Sequence, residues 1–558
     1  MDLYQFDFFY NLFCIFSKYQ VVFFATLTLI SYFLLVNLIP LRNALSTSLS
    51  ILFPKYLFSL SIGIILTYFL TVILYAFSPL YLDHSESSVS IIGFLLKRNY
   101  ELYPSLISGK FYGVPYGPIL FLLQKWFYII LGNSIEVSKL VGVLSSIFSF
   151  IILYFAIHNH NNYKKGLYLI AYILIVILQF SNWAFWNRSE PIIMLFIGLA
   201  LFGIRQNNIF FSLVLLSISF GFAINLKITS VFYMLPIFLL SLKQKSTWFH
   251  TALICLSLLI TVLPFLYKNI SFYNYLDYIR LARNEKMCFT LFYDCLKFSF
   301  LYYFIPTTLF LLYLTKHKEH LKRVLIKYKL PLIALFVCLV AVMLMGAKTG
   351  GGKLYMLPFM PIFVYFWSKL INIEFDSQHA KISNTKSLIL LSLILGLLFS
   401  TIPTSMLKAG YMLLRFSRNL EKDAIPRQVI DDLKKIDRQY PDFTIHMGIG
   451  EYKDYKYTYY RPALVYMGNP YYIDIPIYMA YQNANMLDRK QLDQIFKDCK
   501  IDIWLIPKGN TPFYMGNFAG NHIPLFDQQL RNSFLNNYGQ INSSKFFDVY
   551  KCKTRSKP

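Results

Sequence analysis

Residues 166–205 read GLYLIAYILIVILQFSNWAFWNRSEPIIMLFIGLALFGIR: two apolar runs joined by Asn187-Arg188-Ser189-Glu190-Pro191. Each run is close to the length at which a helix crosses the hydrocarbon of a bilayer, and the interior of neither carries a charge. Arg188 and Glu190 fall between them. A charge at the edge of hydrocarbon is costly unless it is partnered or used. The junction therefore says two things at once: the chain is built from membrane-crossing helices, and their connecting loops hold its chemistry.

The pattern repeats along the chain. Of 558 residues, 56% are hydrophobic and 18% aromatic, and the mean hydropathy is +0.48. Apolar runs occur near 20–38, 57–77, 137–157, 166–182, 190–205, 208–225, 229–242, 248–268, 299–315, 329–346, 354–371 and 387–407. This predicts a polytopic α-helical membrane protein with about 11–12 transmembrane helices. Segment 114–131, with Pro115, Pro118, Gln124 and Lys125, reads instead as a helix lying in the interface. Asp2 and Asp7, with no basic residue before Phe9 and no small-residue cleavage site after the first apolar run, predict that no signal peptide is removed.

The formal net charge of +25 would suggest a nucleic-acid partner in a soluble protein. Here the excess lies in short loops between apolar runs, as the positive-inside rule requires, so no nucleic-acid role is expected. Lys164 and Lys165, Arg205, Lys243 and Lys245, and Lys316, Lys318, Lys322, Arg323, Lys327 and Lys329 against one Glu319 fall on a single side, assigned to the cytoplasm. Three segments then face outward: loops 78–136 and 269–298, and everything after residue 407. The loops at Glu190, Lys227 and Gly350 share that side. A multi-pass protein of the plasma (inner) membrane is expected, its chemistry extracytoplasmic.

Two domains follow, a transmembrane domain over 1–407 and an extracytoplasmic soluble α/β domain over 408–558, where 15 of the chain's 28 acidic residues lie. In the second, helices are expected at 420–439 and Leu487–Cys499, and strands at Phe443–Met447, Ala463–Met467, Ile501–Ile506 and Phe546–Tyr550. Cys288 with Cys295, and Cys499 with Cys552, stand outside the apolar runs as possible disulfide pairs. No Cys spacing suits a metal site.

Four groups carry candidate chemistry. Asp83 and Glu86, in Tyr81-Leu82-Asp83-His84-Ser85-Glu86, share one face of a helical turn; they are either a solvated helix start or a general base with an orienting or metal-holding neighbour. Glu190 beside Arg188 is the second, an interfacial ion pair in its simplest reading. The third is Gly346-Ala347-Lys348-Thr349-Gly350-Gly351-Gly352-Lys353, where glycines between two lysines allow backbone N–H groups and ammoniums to approach an anion, although the spacing is not that of a nucleotide-binding loop. Lys227 faces the same compartment. Tyr112-Gly113-Val114-Pro115-Tyr116-Gly117-Pro118 is read as mainly structural, and Arg280 and Arg283 are cations of no assigned use. Ion-coupled transporters keep ionisable groups at mid-bilayer, which these runs lack.

Asp83-His84-Ser85-Glu86, Tyr116-Gly117-Pro118, Asn187-Arg188-Ser189-Glu190-Pro191, Lys227 before a Leu-Pro-containing run, and the Gly/Lys loop ending in Met356-Leu357-Pro358-Phe359 resemble, in order and spacing, the GT-C superfamily of integral membrane glycosyltransferases. The bacterial branch similar to protein mannosyltransferases and aminoarabinose transferases is the nearest in pattern. The resemblance spans residues 57–371. It implies a polyprenyl-phosphate sugar donor, a catalytic acid in the first outer loop (Asp83 or Glu86), a second acid (Glu190), and cations on the donor phosphate (Arg188, Lys227, Lys348 and Lys353). Two residues separate Asp83 from Glu86 where the family's acids are often adjacent, and the run at 20–38 is an addition to the pattern.

The expected activity is an inverting single displacement that moves a hexosyl or pentosyl group to a glycan, lipid or protein acceptor of the cell envelope. Leaving-group charge would be met by the lysines or by a divalent cation. A lipid-linked sugar flippase is the alternative, and an assembly subunit a third reading.

Overall fold

The two runs flanking Asn187–Pro191 form helices Tyr163–Phe180 and Ser189–Ile204 in a computed structural model of the chain. Residues 3–37, 53–158, 163–180, 184–242, 245–314, 318–371, 385–518 and 523–554 are described. Lys243 and Lys316 of the basic loops lie outside them.

Each of the twelve apolar runs contains helix: Gln20–Asn37, Phe53–Phe77, Ile135–Ile157, Tyr163–Phe180, Ser189–Ile204, Ile209–Leu226, Val231–Leu242, Thr247–Val262, Ile305–Leu314, Lys318–Gly346, Met360–Ile371 and Thr385–Arg418. Seven described helices are long and apolar enough to cross a membrane, and the protein is a multi-pass α-helical membrane protein. Ser189–Ile204 packs against both Ile135–Ile157 and Ile209–Leu226. Thirteen of its sixteen residues are buried, which is why its sequence is apolar on every side rather than along one stripe. That burial sets Glu190, in its first turn, at the centre of one end of the bundle. Ile119–Leu131 buries Leu120, Phe121, Gln124 and Tyr128 and exposes Trp126, Ile129 and Ile130. Such one-sided burial suits a helix lying along an interface.

The expected boundary at 407/408 falls inside Thr385–Arg418, which runs through it without a break. Beyond lie helices Ile425–Gln439 and Arg489–Lys497 and a four-stranded sheet of β1 (Ile445–Met447), β2 (Ile503–Pro507), β3 (Tyr538–Ser543) and β4 (Phe547–Cys552), in the order β1-β2-β4-β3. β1 and β2 are parallel; β4 is antiparallel to both its neighbours. Ala463–Met467, expected as a strand, is instead mostly helix, Arg461–Tyr466. Five apolar residues in a row show no period that separates the two, and Pro462 pre-sets a helical first turn. Cys499 and Cys552 are joined, while Cys288 and Cys295 are free thiols.

The C-terminal region is fastened to the first long loop by backbone. Phe111 N–H donates to Tyr472 O and Asp474 N–H to Phe111 O, both at 2.7 Å. Ser88 Oγ donates to Asp474 Oδ1 at 2.8 Å, and Asn483 Nδ2 to Glu285 at 3.1 Å in the loop 269–298. One hydrophobic core runs through both parts. The loops at Glu190, Lys227 and Gly350 meet the C-terminal region at this capped end.

Candidate functional site

Helix Ser189–Ile204 brings a carboxylate to a place where water barely reaches. Glu190 is 1% exposed. Its Oε1 accepts from Lys227 Nζ at 3.1 Å, and its Oε2 lies 3.7 Å from Arg188 Nε, beyond hydrogen-bond range. Arg188 Nε donates to the Tyr116 hydroxyl at 3.0 Å, and its guanidinium sits 4.3 Å from the centre of the Trp186 indole. The Lys227 ammonium lies 3.7 Å from the centre of the Tyr355 ring. Burial opposes the charge on both cations, but Tyr116, Glu190 and Asp83 around Arg188, and Tyr355 and Glu190 around Lys227, more than offset it and raise both pKa values. Two permanent cations thus share the Glu190 carboxylate, and Asp83 acts on Arg188 as well.

Backbone contact fixes these cations. Lys227 follows helix Ile209–Leu226 in an extended conformation. Beside it the turn Tyr116-Gly117-Pro118 lies so close that a Cβ on Gly117 would be 1.6 Å from Asn225 O. Gly117 N–H donates to Leu226 O at 3.0 Å, and Asn225 Oδ1 accepts from Ile119 N–H at 3.1 Å. Gly117 is therefore required by space, and the Tyr-Gly-Pro turn registers Tyr116 between Arg188 and Lys227.

Arg188, Lys227, Tyr116 and Tyr355 line a cavity of about 420 Å³, along with Ser85, Arg283, Lys348 and the Gly350-Gly351 turn. Pro476, Ile477 and Ala480 of the C-terminal helix Ile475–Asn483 complete it. The Gly/Lys loop is held against the loop 269–298: Cys288 N–H donates to Ala347 O at 2.7 Å and Thr349 N–H to Lys286 O at 2.9 Å. Gly350 and Gly352 have φ of 77° and 103°, conformations that L side chains rarely adopt. Lys348 is at the rim, its Nζ donating to Arg283 O at 2.8 Å. Lys353 does not line this cavity; it faces Asp294 and Lys297 in a separate small cleft. The loop turns between its two lysines, so adjacency in sequence places only Lys348 at the cavity.

The two acids of the first loop have different surroundings. Asp83 caps helix His84–Lys97, with Oδ1 accepting from Ser85 N–H at 2.6 Å, and its side chain is 30% exposed. Desolvation works to raise its pKa, but His84, Arg188 and the Ser85 hydrogen bonds outweigh it and hold Asp83 below the usual carboxylate range. Glu86 is fully enclosed. Its Oε1 accepts from the Tyr75 hydroxyl and, at 3.0 Å, from Asn187 N–H; its Oε2 accepts from Leu82 N–H at 2.6 Å. Burial raises the Glu86 pKa despite these donors. The expected pairing on one accessible face is not formed. A helical turn puts the two residues on one side, but Asp83 stays outside the helix as its cap while Glu86 turns inward and ties the loop to the residue before Arg188.

Other contributors lay outside the sequence expectations. Asp474 is fully buried, accepts from Ser88 and stands 3.6 Å from Arg461 Nη1. The His84 ring, next to Asp83, is 5.9 Å from Tyr455, 6.4 Å from Tyr459 and 5.7 Å from Phe518 of the C-terminal region. Arg283, noted in the sequence without a use, reaches the cavity wall. Asp474, Tyr455 and Tyr459 carry no mark in a local pattern, because they become neighbours of the first loop only when the C-terminal region docks. Among the described residues no three His, Cys, Asp or Glu side chains converge as metal ligands.

No protein-family model matches the chain, and no curated protein matches it by sequence. Solved structures do match in fold. ArnT from Cupriavidus metallidurans, in a crystal structure with undecaprenyl phosphate, superposes with a TM-score of 0.51 at 10% identity, over 90% of this chain and 99% of that one. The same protein in its apo state gives 0.51 at 10% identity, over 88% and 97%. The likeness covers nearly the whole of both chains, the C-terminal region included.

Proposed function

We propose that this protein is a membrane glycosyltransferase that moves a sugar from a polyprenyl-phosphate donor to an acceptor on the extracytoplasmic side of the plasma membrane. The observation that carries the reading is the cavity: Arg188 and Lys227 clamped by Glu190, with Arg283 and Lys348 against one acid, Glu285, on its walls, and Asp83 acting on Arg188 from outside the lining. The crystallised ArnT, similar in fold, binds undecaprenyl phosphate, a ligand whose charge this cavity would suit. The Cys499–Cys552 disulfide supports an oxidising compartment for the C-terminal region.

In the proposed reaction Asp83 accepts the proton of an acceptor hydroxyl or amine as that atom attacks the anomeric carbon. The bond from that carbon to the phosphate oxygen breaks on the opposite face, and its electron pair leaves with polyprenyl phosphate. A phosphate leaving group needs charge stabilisation more than a proton, which Arg188 and Lys227 supply from fixed positions. Arg188 Nε is already bonded to Tyr116, which orients the planar guanidinium and leaves its terminal nitrogens for phosphate oxygens. Glu190 is the positioning residue for both cations. Glu86 positions the loop through Asn187. Tyr459 and Phe518, partly exposed beside His84, offer aromatic faces to an acceptor sugar, a contact that the aromatic-rich stretch Lys508–Phe518 also suggests in the sequence.

Purified protein given a polyprenyl-phospho-sugar and a panel of glycan, lipid and peptide acceptors tests the reading. Sugar transfer with stoichiometric release of polyprenyl phosphate is expected, and it should fall sharply in Asp83→Asn and Lys227→Gln. Donor crossing the bilayer intact, with no polyprenyl phosphate released, would establish a flippase instead. Full transfer activity in both variants would sink the assigned roles.

A further inference from the structure

The opposite end of helix Ser189–Ile204, about 21 Å from Glu190 at 1.5 Å per residue, opens on a second cavity of about 530 Å³. Arg205, Lys245, Lys327 and Lys369 line it, together with Tyr328 and Tyr365, and no described lining residue is acidic. The four cations come from four different elements. Arg205 Nη1 donates to Phe155 O at 2.8 Å, Lys245 Nζ to Gln206 O at 3.0 Å, and Lys369 lies 4.8 Å from the centre of the Tyr365 ring.

A positive-inside bias explains basic residues in these loops, but it places them in water and apart. It gives no reason for four of them to converge on one concavity, where a bound anion lowers their mutual repulsion. The surroundings indicate which kind. Phe210, Trp248 and Ile326, within three residues in sequence of the lining residues Asn207, Lys245 and Lys327, are 72%, 57% and 63% exposed, apolar surface suited to acyl chains. Tyr rings beside basic side chains are typical of the headgroup layer. Basic pockets between helix ends recognise phosphorylated lipid headgroups, each Lys or Arg adding to the attraction.

We infer that this cavity binds the phosphate-bearing headgroup of an anionic membrane lipid, in the leaflet opposite the glycosyl-transfer cavity. The site is independent of the transfer chemistry and would hold whether or not that reading stands.

The test uses the full-length protein in detergent, with bound lipid measured by native mass spectrometry after exposure to phosphatidylglycerol, to phosphatidylcholine or to inorganic phosphate. Wild type should retain phosphatidylglycerol and not phosphatidylcholine. Lys327→Gln/Lys369→Gln should reduce that retention about tenfold or more, and Lys369→Arg should keep it. The exposed Lys327→Gln, checked for a monodisperse elution profile, reads the same effect if the double variant does not fold. Equal retention by wild type and folded variants, or equal retention of both lipids, would overturn the site. Inorganic phosphate binding at the same stoichiometry and displacing the lipid would reassign it to a free anion.

Discussion

The two ends of the bundle handle charge in opposite ways. At the capped end Arg188 and Lys227 are almost wholly buried and share one carboxylate, Glu190. At the other end Arg205, Lys245, Lys327 and Lys369 surround a cavity with carbonyls and rings as partners. The difference follows from water. Cations sealed from solvent need a counter-charge built into the protein, since the desolvation of each is worth several kcal/mol. Cations at a wet headgroup layer can leave theirs to the membrane. Basic residues at the capped end are therefore parts of a fixed site, and those at the far end line a cavity with no acid among its described lining residues.

The largest effect that would sharpen this contrast is at Asp83. Asn caps a helix about as well as Asp, so Asp83→Asn should lower stability only by the loss of its favoured charge while lowering transfer about 10²–10⁴-fold, as expected for loss of a general base. Survival of more than a tenth of the activity would remove Asp83 from that role. The same carboxylate predicts a pH profile. Its folded pKa is depressed, so its ionised form, and the stability that form contributes, is present above the unfolded value and lost as pH falls through the folded one. The acid limb of transfer should lie below the usual carboxylate range and move up in Arg188→Gln, which removes one of the groups depressing it.

Glu190→Gln tests the sealed end directly. It strands two buried cations and should cost about 3–5 kcal/mol of stability along with activity. Adding Lys227→Gln should recover part of the stability and none of the transfer. Unchanged unfolding of the single variant in a denaturant series would show that water reaches these cations after all.

Glu86→Gln should cost about 1–3 kcal/mol, because the carboxylate accepts from three donors and an amide cannot serve them all. Its transfer should fall by less than in Asp83→Asn. The reverse order of activities would exchange the roles of the two acids.

Lys369→Gln, at the far end, is the smallest change: within about 0.5 kcal/mol in lipid-free detergent, in either direction. A loss as large as that of Glu190→Gln would mean that the far-end cations are also structurally paired, and the contrast between the ends would fail.

Where local pattern met a local decision, reading and structure agree. Apolar runs bounded by charges became helices because an apolar stretch of that length has few other ways to bury its backbone polar groups in a membrane. The loops at Lys227 and Gly350 meet the C-terminal region at one cavity, and Arg205, Lys245 and Lys327 meet at another, because alternation along the chain separates them. Elsewhere the decision was not local. Ala463–Met467 is apolar without a period, so Pro462 and its neighbours made it helix. Tyr538–Ser543, polar and containing Gly539, shows little strand character and forms β3 only because β4 offers it an edge. The domain boundary expected at 407/408 marks a real change in composition, yet one helix crosses it, since a helix continues wherever its hydrogen bonds do.

The site divides in the same way. Sequence alone determined that this is a many-helix membrane protein, and that Asp83, Glu86, Glu190, Arg188, Lys227 and the Gly/Lys loop belong to one end of it, because hydrophobic length and the ordering of charges are written along the chain. Only the tertiary structure decided that Asp83 is open while Glu86 is enclosed, that Lys348 reaches the cavity and Lys353 does not, and that Arg283 and the C-terminal Pro476, Ile477 and Ala480 complete the walls. Burial, and the distance between residues far apart in sequence, are settled by packing, and packing has no local signature.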